Sequence, residues 1–367
     1  MMEREVWFGL HETPMIGWKT LKAIQETVKD VRVLPDLSES DIQELPLPKG
    51  KRKLIYQGSR KAFIEHRLEL YDRRGYHYLT HADDEYPTLL RHIPQSPWVL
   101  YYRGNPDVFK HEQLGIVGTR FPTAYGRRVA NQLSRQLSDQ GWCMVSGMAR
   151  GIDSESHWGA LAGKGKTIGV LGTPIDYVYP PENRKLYDQV AAEGLIISEY
   201  PLQTVMAKGM FPYRNRIIAG LSRGVIVVEA DRGSGSLITA DAAFDANREV
   251  FAVPGPISSS KSRGTHDLIR NNKATLVTGT EDIYQALEYM KRQDGQPGPL
   301  FPELEQIGPA LTQDEALIVS FLSAEPATFD RLYELSQFDF GHLHSVLISL
   351  LMKKWIEQHA GSSYILT

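Results

Sequence analysis

The sequence predicts an α/β protein: an extended Rossmann-like parallel sheet core, with a small helical N-terminal domain and a C-terminal winged-helix domain. Three observations carry that prediction. From Leu114 onward a short apolar run, a glycine-bearing turn and a helical stretch recur in succession. A stretch rich in proline and glycine then breaks the pattern at 291–309. Beyond it, 310–367 offers three helical segments and the terminal WIEQHAGSSYILT, which reads as a hairpin.

Taken in order, residues 1–80 are mixed helical, with a turn in TPMIGWKTLKAI (13–24) and a charged helix in SRKAFIEHRLELYDRRG (59–75). A small domain, SAM-like or helix-hairpin-helix-like, is expected there. The core is expected over 81–290. Its apolar runs are LGIVG (114–118), WCMVSG (142–147), TIGVLG (167–172), LIISEY (195–200), GVIVVEA (224–230), EVFAVPG (249–255) and ATLVTG (274–279). Strands that alternate with helices form a parallel sheet covered on both faces, so each strand is apolar nearly throughout. The composition of 291–309 is that of a linker. In the winged-helix domain the candidate recognition helix, FGHLHSVLISLLMKK (340–354), has basic residues only at its far end. Reading of a major groove is therefore not expected, and protein contacts or regulation are.

Composition narrows the function. Forty-one basic against 44 acidic side chains give a net charge of -3, so the chain as a whole does not announce a polyanion partner. The distribution is more informative. No acid stands between Glu112 and Asp139, a window holding Arg120, Arg127, Arg128 and Arg135. None stands between Glu199 and Glu229, a window holding Lys208, Arg214, Arg216 and Arg223. The single cysteine, Cys143, excludes an intramolecular disulfide and a cysteine-based zinc cluster. The opening MMEREVWFGL lacks the pattern of a signal peptide, and no segment is apolar long enough to span a bilayer. A cytoplasmic protein without membrane contact is the expectation.

In an open α/β sheet ligands bind beyond the carboxyl ends of the strands. The unusual loops fall there: GTR (118–120), SGMARGID (146–153), LGTPID (171–176), EADRGSGS (229–236) and PGPISS (254–259). There is no G-x-x-x-x-G-K-[ST], and no G-x-G-x-x-G after the first strand of the repeat, so ATP and NAD are disfavoured and no cofactor is expected. The histidines are scattered without metal-ligand spacing. Gly118 lets the chain turn, and Arg120 offers a planar, always-charged fork suited to phosphate. Gly147 and the trio Ser234, Gly235 and Ser236 each precede a helix start, where backbone N–H groups attract anions; tight packing is the plainer alternative. FPYRNRIIAGLS (211–222) sets aromatics beside cations. Lys208, Arg214, Asn215 and Arg216 are candidates for the phosphates and Phe211 for stacking on a base, the combination by which unpaired nucleic acid is gripped. The competing reading buries Phe211 and Tyr213 in the core and pins an arginine to an acid such as Glu199 or Glu229.

VGTR, SGMARGID, TIGVLGTPIDYVYPPENRKLY, SEYPL, FPYRNRIIAGLS, VVEADRGSGSLITA and REVFAVPG occur in one order over about 85–280. In that order and spacing the chain resembles the bacterial DNA-processing protein DprA family. The resemblance implies an extended Rossmann core that binds single-stranded DNA, dimerises, and passes incoming DNA to the RecA recombinase during natural transformation. It maps the family's binding pocket onto Arg120, Lys208 and Phe211 with the surrounding glycine turns. Three positions depart from the family pattern: Pro174, Leu202 with Gln203, and His266.

Two other functions compete. The core is also similar to the LOG phosphoribohydrolases, whose PGGxGTxxE motif carries a catalytic glutamate. Its place here falls at Ile238 or Thr239, so binding without catalysis is expected. A winged-helix transcription regulator with a ligand-sensing Rossmann domain is the third possibility.

Overall fold

The computed structural model describes residues 1–287, 311–324, 327–353, 355–359 and 363–366. The stretch read as a linker, 291–309, lies outside them. Two compact units are present, Met1–Leu300 and Phe301–Thr367.

The first unit is built on a nine-stranded sheet: β1 (His77–Thr80), β2 (Val99–Gly104), β3 (Gln113–Val117), β4 (Cys143–Ser146), β5 (Thr167–Leu171), β6 (Leu195–Ser198), β7 (Gly224–Val227), β8 (Glu249–Ala252) and β9 (Thr275–Leu276). Their order across the sheet is β1-β2-β6-β5-β4-β3-β7-β8-β9. The seven strands read from the sequence, β3 to β9, all run parallel. The sequence reading does not include β1 and β2, which extend one edge in antiparallel fashion. Their signal is weak because β1 is only four residues long and follows directly on a helix.

Alternation along the strands sorts side chains to the two faces. In β4, Cys143 and Val145 join Val225 and Val227 of β7 in a core covered by Ile217, Ile218, Leu221 and Ala240. Met144 and Ile226 point the other way, into a core with Val129, Leu133 and Leu137. Those last three lie on the helix Ala124–Asp139, whose buried residues recur at three- and four-residue intervals and so form one stripe. Ile217, Ile218 and Leu221 of the helix Met210–Leu221 face the sheet.

The N-terminal helices share a third core with the sheet edge, in which Phe8, Leu10, Ile64 and Tyr71 meet Val99, Tyr101, Ile196 and Leu202. A buried polar knot reinforces it. The Glu12 carboxylate accepts from Arg67 Nε at 2.6 Å and from Tyr71 Oη at 2.7 Å, while Tyr71 Oη accepts from Leu202 N at 2.9 Å. Burial pushes the Glu12 carboxyl up, and the Arg67 guanidinium opposes that shift. Two of the departures from the family pattern carry distinct local structure. Gln203 adopts a left-handed φ of 67°, and His266 Nε2 lies 3.0 Å from the Gly255 carbonyl oxygen.

The second unit contains the helices Gln313–Ala324, Phe329–Ser336 and Phe340–Met352 and a three-stranded sheet ordered β10-β12-β11, from Ala327–Thr328, Ser363–Leu366 and Ile356–His359. Three helices and a hairpin make the expected winged helix. Ile318, Leu332, Leu343, Leu347 and Leu350 fill its core.

Candidate nucleic-acid interface

The strand order reverses between β3 and β7, the strands that carry the GTR and GSGS loops at their carboxyl ends. A cleft of about 470 Å³ opens there. Gly118, Arg120, Phe211, Arg214, Asn215, Ser234, Gly235 and Ser236 all line it. It is at the switch point where topology alone puts a ligand site.

The walls are held by hydrogen bonds that cross the switch point. Thr119 N donates to the Glu229 carbonyl at 2.7 Å, and Ile152 N donates to the Thr119 carbonyl at 3.2 Å. The Glu229 carboxylate accepts from Thr123 N at 2.9 Å and Thr123 Oγ1 at 2.6 Å. Thr123 Oγ1 in turn caps the 124–139 helix by accepting from Gly126 N. Gly151 is required beside this loop: its φ is +76°, and a Cβ there would come within 2.4 Å of the Thr119 carbonyl oxygen.

Arg120 is exposed on the cleft, with its guanidinium open to a ligand. Phe211 is half-buried on the first turn of the helix Met210–Leu221, not on the loop before it. The helix begins early because Pro212 sits in the first turn, where its missing N–H has no intrahelical partner to lose. The Phe211 ring rests on Gly172, where a Cβ would come within 2.8 Å of Cδ1, and lies 5.2 Å from the tilted ring of Tyr179. Lys208 is exposed on the connection entering that helix, one turn ahead of Phe211, and does not line the cleft.

The remaining candidates are occupied by framework bonds. Arg214 is buried: Nη1 donates to the Gly147 carbonyl at 2.7 Å and to the Val170 carbonyl, and Nε to Asn215 Oδ1 at 3.2 Å. Burial lowers its pKa to about 10, a shift that Asp153 opposes and Arg120 adds to. Gly147 N donates to Asp153 Oδ2 at 3.1 Å. Asn215 Nδ2 donates to the Gly235 carbonyl at 3.2 Å, tying the 210–221 helix to the next crossover. Arg216 Nη2 donates to Glu199 Oε1 at 2.6 Å, and its guanidinium lies 4.0 Å from the centroid of the Tyr213 ring. Arg216 therefore turns to the far side of its helix and is not brought to the cleft. The pinning of an arginine to Glu199, weighed from the sequence, is what the structure contains. Ser234 Oγ caps the helix Gly235–Asp245, and Gly235 has open space where a side chain would stand.

Asp153, in the SGMARGID loop, lines the cleft and accepts from the N–H groups of Gly147 and Ala149. Burial raises its pKa against the pull of Arg214 and those two amides. Phe121, which was not singled out, also lines the cleft, as does Ile238. The motif that holds Asp153 was visible; its direction was not. Among the described residues no group of histidine, cysteine and acidic side chains has metal-binding geometry, and no helix is long and apolar enough to cross a membrane.

The chain matches the family model of DNA recombination-mediator protein A over residues 77–288 and that of the DprA winged helix domain over 302–362. It is 37% identical to the protein Smf of Synechocystis over 81% of this chain and 82% of that protein. Identity to the DNA processing protein DprA of Bacillus subtilis is 42%, over 60% of this chain and 74% of the relative. The X-ray structure of DNA processing protein A from Streptococcus pneumoniae superposes with a TM-score of 0.67 at 33% identity, covering 79% of this chain and all of that one. DNA processing protein A from Helicobacter pylori, whose solved structure concerns that protein's unique single-stranded DNA binding mode, gives a TM-score of 0.52 at 30% identity over 59% of this chain and 97% of its own.

Proposed function

Because the chain belongs to the DNA recombination-mediator protein A family, we propose that its switch-point cleft grips single-stranded DNA, and that the protein protects incoming strands and loads the RecA recombinase onto them during natural transformation. The observation that carries this reading is the meeting of Arg120, the Phe211 ring and the capped start of the 235–245 helix in one cleft. Arg120 and the nearby amides hold one phosphate, Lys208 holds a neighbouring phosphate outside the cleft, and Phe211 stacks a base. A homodimer through the Rossmann domain joins two clefts on one strand and raises the avidity without new contacts. A cytoplasmic location follows from that role.

Binding without bond cleavage is part of the proposal. The place of the phosphoribohydrolases' glutamate falls at Ile238 or Thr239, neither of which is an acid. The nearest acids, Asp153 and Glu229, are engaged by loop N–H groups and by Thr123. In the winged helix, Lys353 at the end of the recognition helix is held by Glu315 at 2.7 Å, which gives no support to duplex reading.

The test is a titration of single-stranded and duplex oligonucleotides of equal length against the full chain and against residues 1–300. The reading expects preference for single strands in both, with affinity falling as salt rises. Duplex preference that disappears with residues 301–367 would instead establish the transcription-regulator reading. Release of free base from nucleoside monophosphates at catalytic rates would establish the hydrolase.

A further inference from the structure

Phe121 is the residue on this cleft that neither the fold nor the framework bonds explain. Its side chain lines the cleft, yet the residue is 72% exposed and its ring stacks on no other ring among the described residues. Nor is it on a loose segment. Phe121 N donates to Thr119 Oγ1 at 3.2 Å, Pro122 follows and restricts the backbone, and Thr123 is fixed to Glu229. A large apolar ring is thus held out in water by a rigid loop, directly after the cleft's exposed arginine.

The size of the cleft shows what such a ring is for. A volume of about 470 Å³ is the room one small ligand fills, which suits a single nucleotide. A polynucleotide must therefore leave over the rim, where its next base loses the stacking it had in the free strand. We propose that Phe121 is a second stacking platform, taking the base adjacent to the one on Phe211 as the strand passes Arg120. The two rings and the arginine between them would then read a dinucleotide step by its flat faces and its charge, without preference for sequence. This inference rests on the single-strand reading of the cleft.

The experiment compares the full-length protein with F121A, F121W and R120Q on a 20-nucleotide thymidine strand and on a strand of equal length lacking bases. Stacking of one base predicts that F121A binds the thymidine strand about tenfold more weakly, with the salt dependence of the wild type. F121A should equal the wild type on the baseless strand, and F121W should restore binding. Equal affinity of F121A and wild type for the thymidine strand overturns the proposal. So does an equal loss on both strands, or a loss accompanied by a change in sedimentation, which would make the ring a protein contact. The outcomes separate from those of the underlying reading. If the wild type binds neither strand, or R120Q keeps the full salt dependence, the single-strand assignment of the cleft fails; if R120Q weakens and F121A does not, only the role of Phe121 fails.

Discussion

Arg214→Met separates an arginine that builds the cleft from one that binds in it. Methionine preserves much of the apolar stem and volume while removing the guanidinium. The Gly147 and Val170 carbonyls, at the ends of neighbouring strands, each lose their bond to Nη1, and Asp153 loses the cation that opposes its burial. Hydrogen bonds from a charged donor contribute about 1.5–3 kcal/mol each, and breaking a buried charged arrangement from one side costs about 3–5 kcal/mol. The expected loss is therefore about 3–5 kcal/mol of unfolding free energy, read by urea denaturation at pH 7. Because Arg214 is spent on backbone carbonyls, the folded fraction of the variant should keep the wild-type slope of log affinity against log salt. A variant within about 1 kcal/mol of the wild type whose salt slope falls by about one would refute the reasoning and make Arg214 a phosphate contact.

Arg120→Gln and Lys208→Gln should each lower the salt slope by about one while weakening all sequences alike, as measured by fluorescence anisotropy across salt concentrations. Arg120 makes no framework bond, so Arg120→Gln without DNA should melt no lower than the wild type; a lower melting temperature would give that residue a structural role. Phe211→Ala should weaken single-strand binding by about 1–3 kcal/mol and leave the slope in place. His157 tests the core: it is fully buried, Nδ1 lies 2.7 Å from Thr167 Oγ1, and burial lowers its pKa to about 3. Since Thr167 Oγ1 donates to the Met144 carbonyl, it accepts from His157, which fixes a neutral imidazole protonated on Nδ1. The folded pKa lies below the unfolded value of 6.5, so this group's stabilisation is complete above pH 6.5 and is lost as pH falls towards 3. At about 1.4 kcal/mol per pH unit, going from pH 7 to 5 should cost the wild type about 2 kcal/mol more than His157→Gln, and equal losses would count against a neutral buried ring.

The parallel sheet was legible because burial on both faces writes a strand as an unbroken apolar run, and each run from LGIVG to ATLVTG became a strand. Topology then located the cleft, since the GTR and GSGS loops end the two strands that flank the reversal. What stayed hidden was the direction of individual side chains. On a helix, residues three apart share a face and residues two apart do not: Phe211 and Arg214 both line the cleft, Phe211 resting on Gly172 and Arg214 reaching the strand ends, while Arg216 turns back to Glu199. The motif FPYRNR thus mixes ligand-facing and framework residues, and composition cannot divide them. The cationic windows misled in the same way. Arg223 is paired with Glu112 at 2.7 Å and Arg216 with Glu199 at 2.6 Å, the acids that bound those windows in the sequence. The β3–β7 pairing brings Arg223 back to Glu112, 111 residues earlier, and the fold of the helix after β6 brings Arg216 to Glu199.

The pairing also decides where the residual positive charge lies. Burial lowers the Arg214 pKa, the charge of Asp153 opposes that shift while its carboxylate accepts from two loop N–H groups, and Arg120 stands close enough to lower it further. Two guanidinium groups thus repel one another beside the cleft, and among the described residues Asp153 and Glu229 are already engaged by the loops. An anion held by Arg120 would lessen that repulsion at little cost, since the loop that carries Arg120 is already fixed by Glu229 and Thr119.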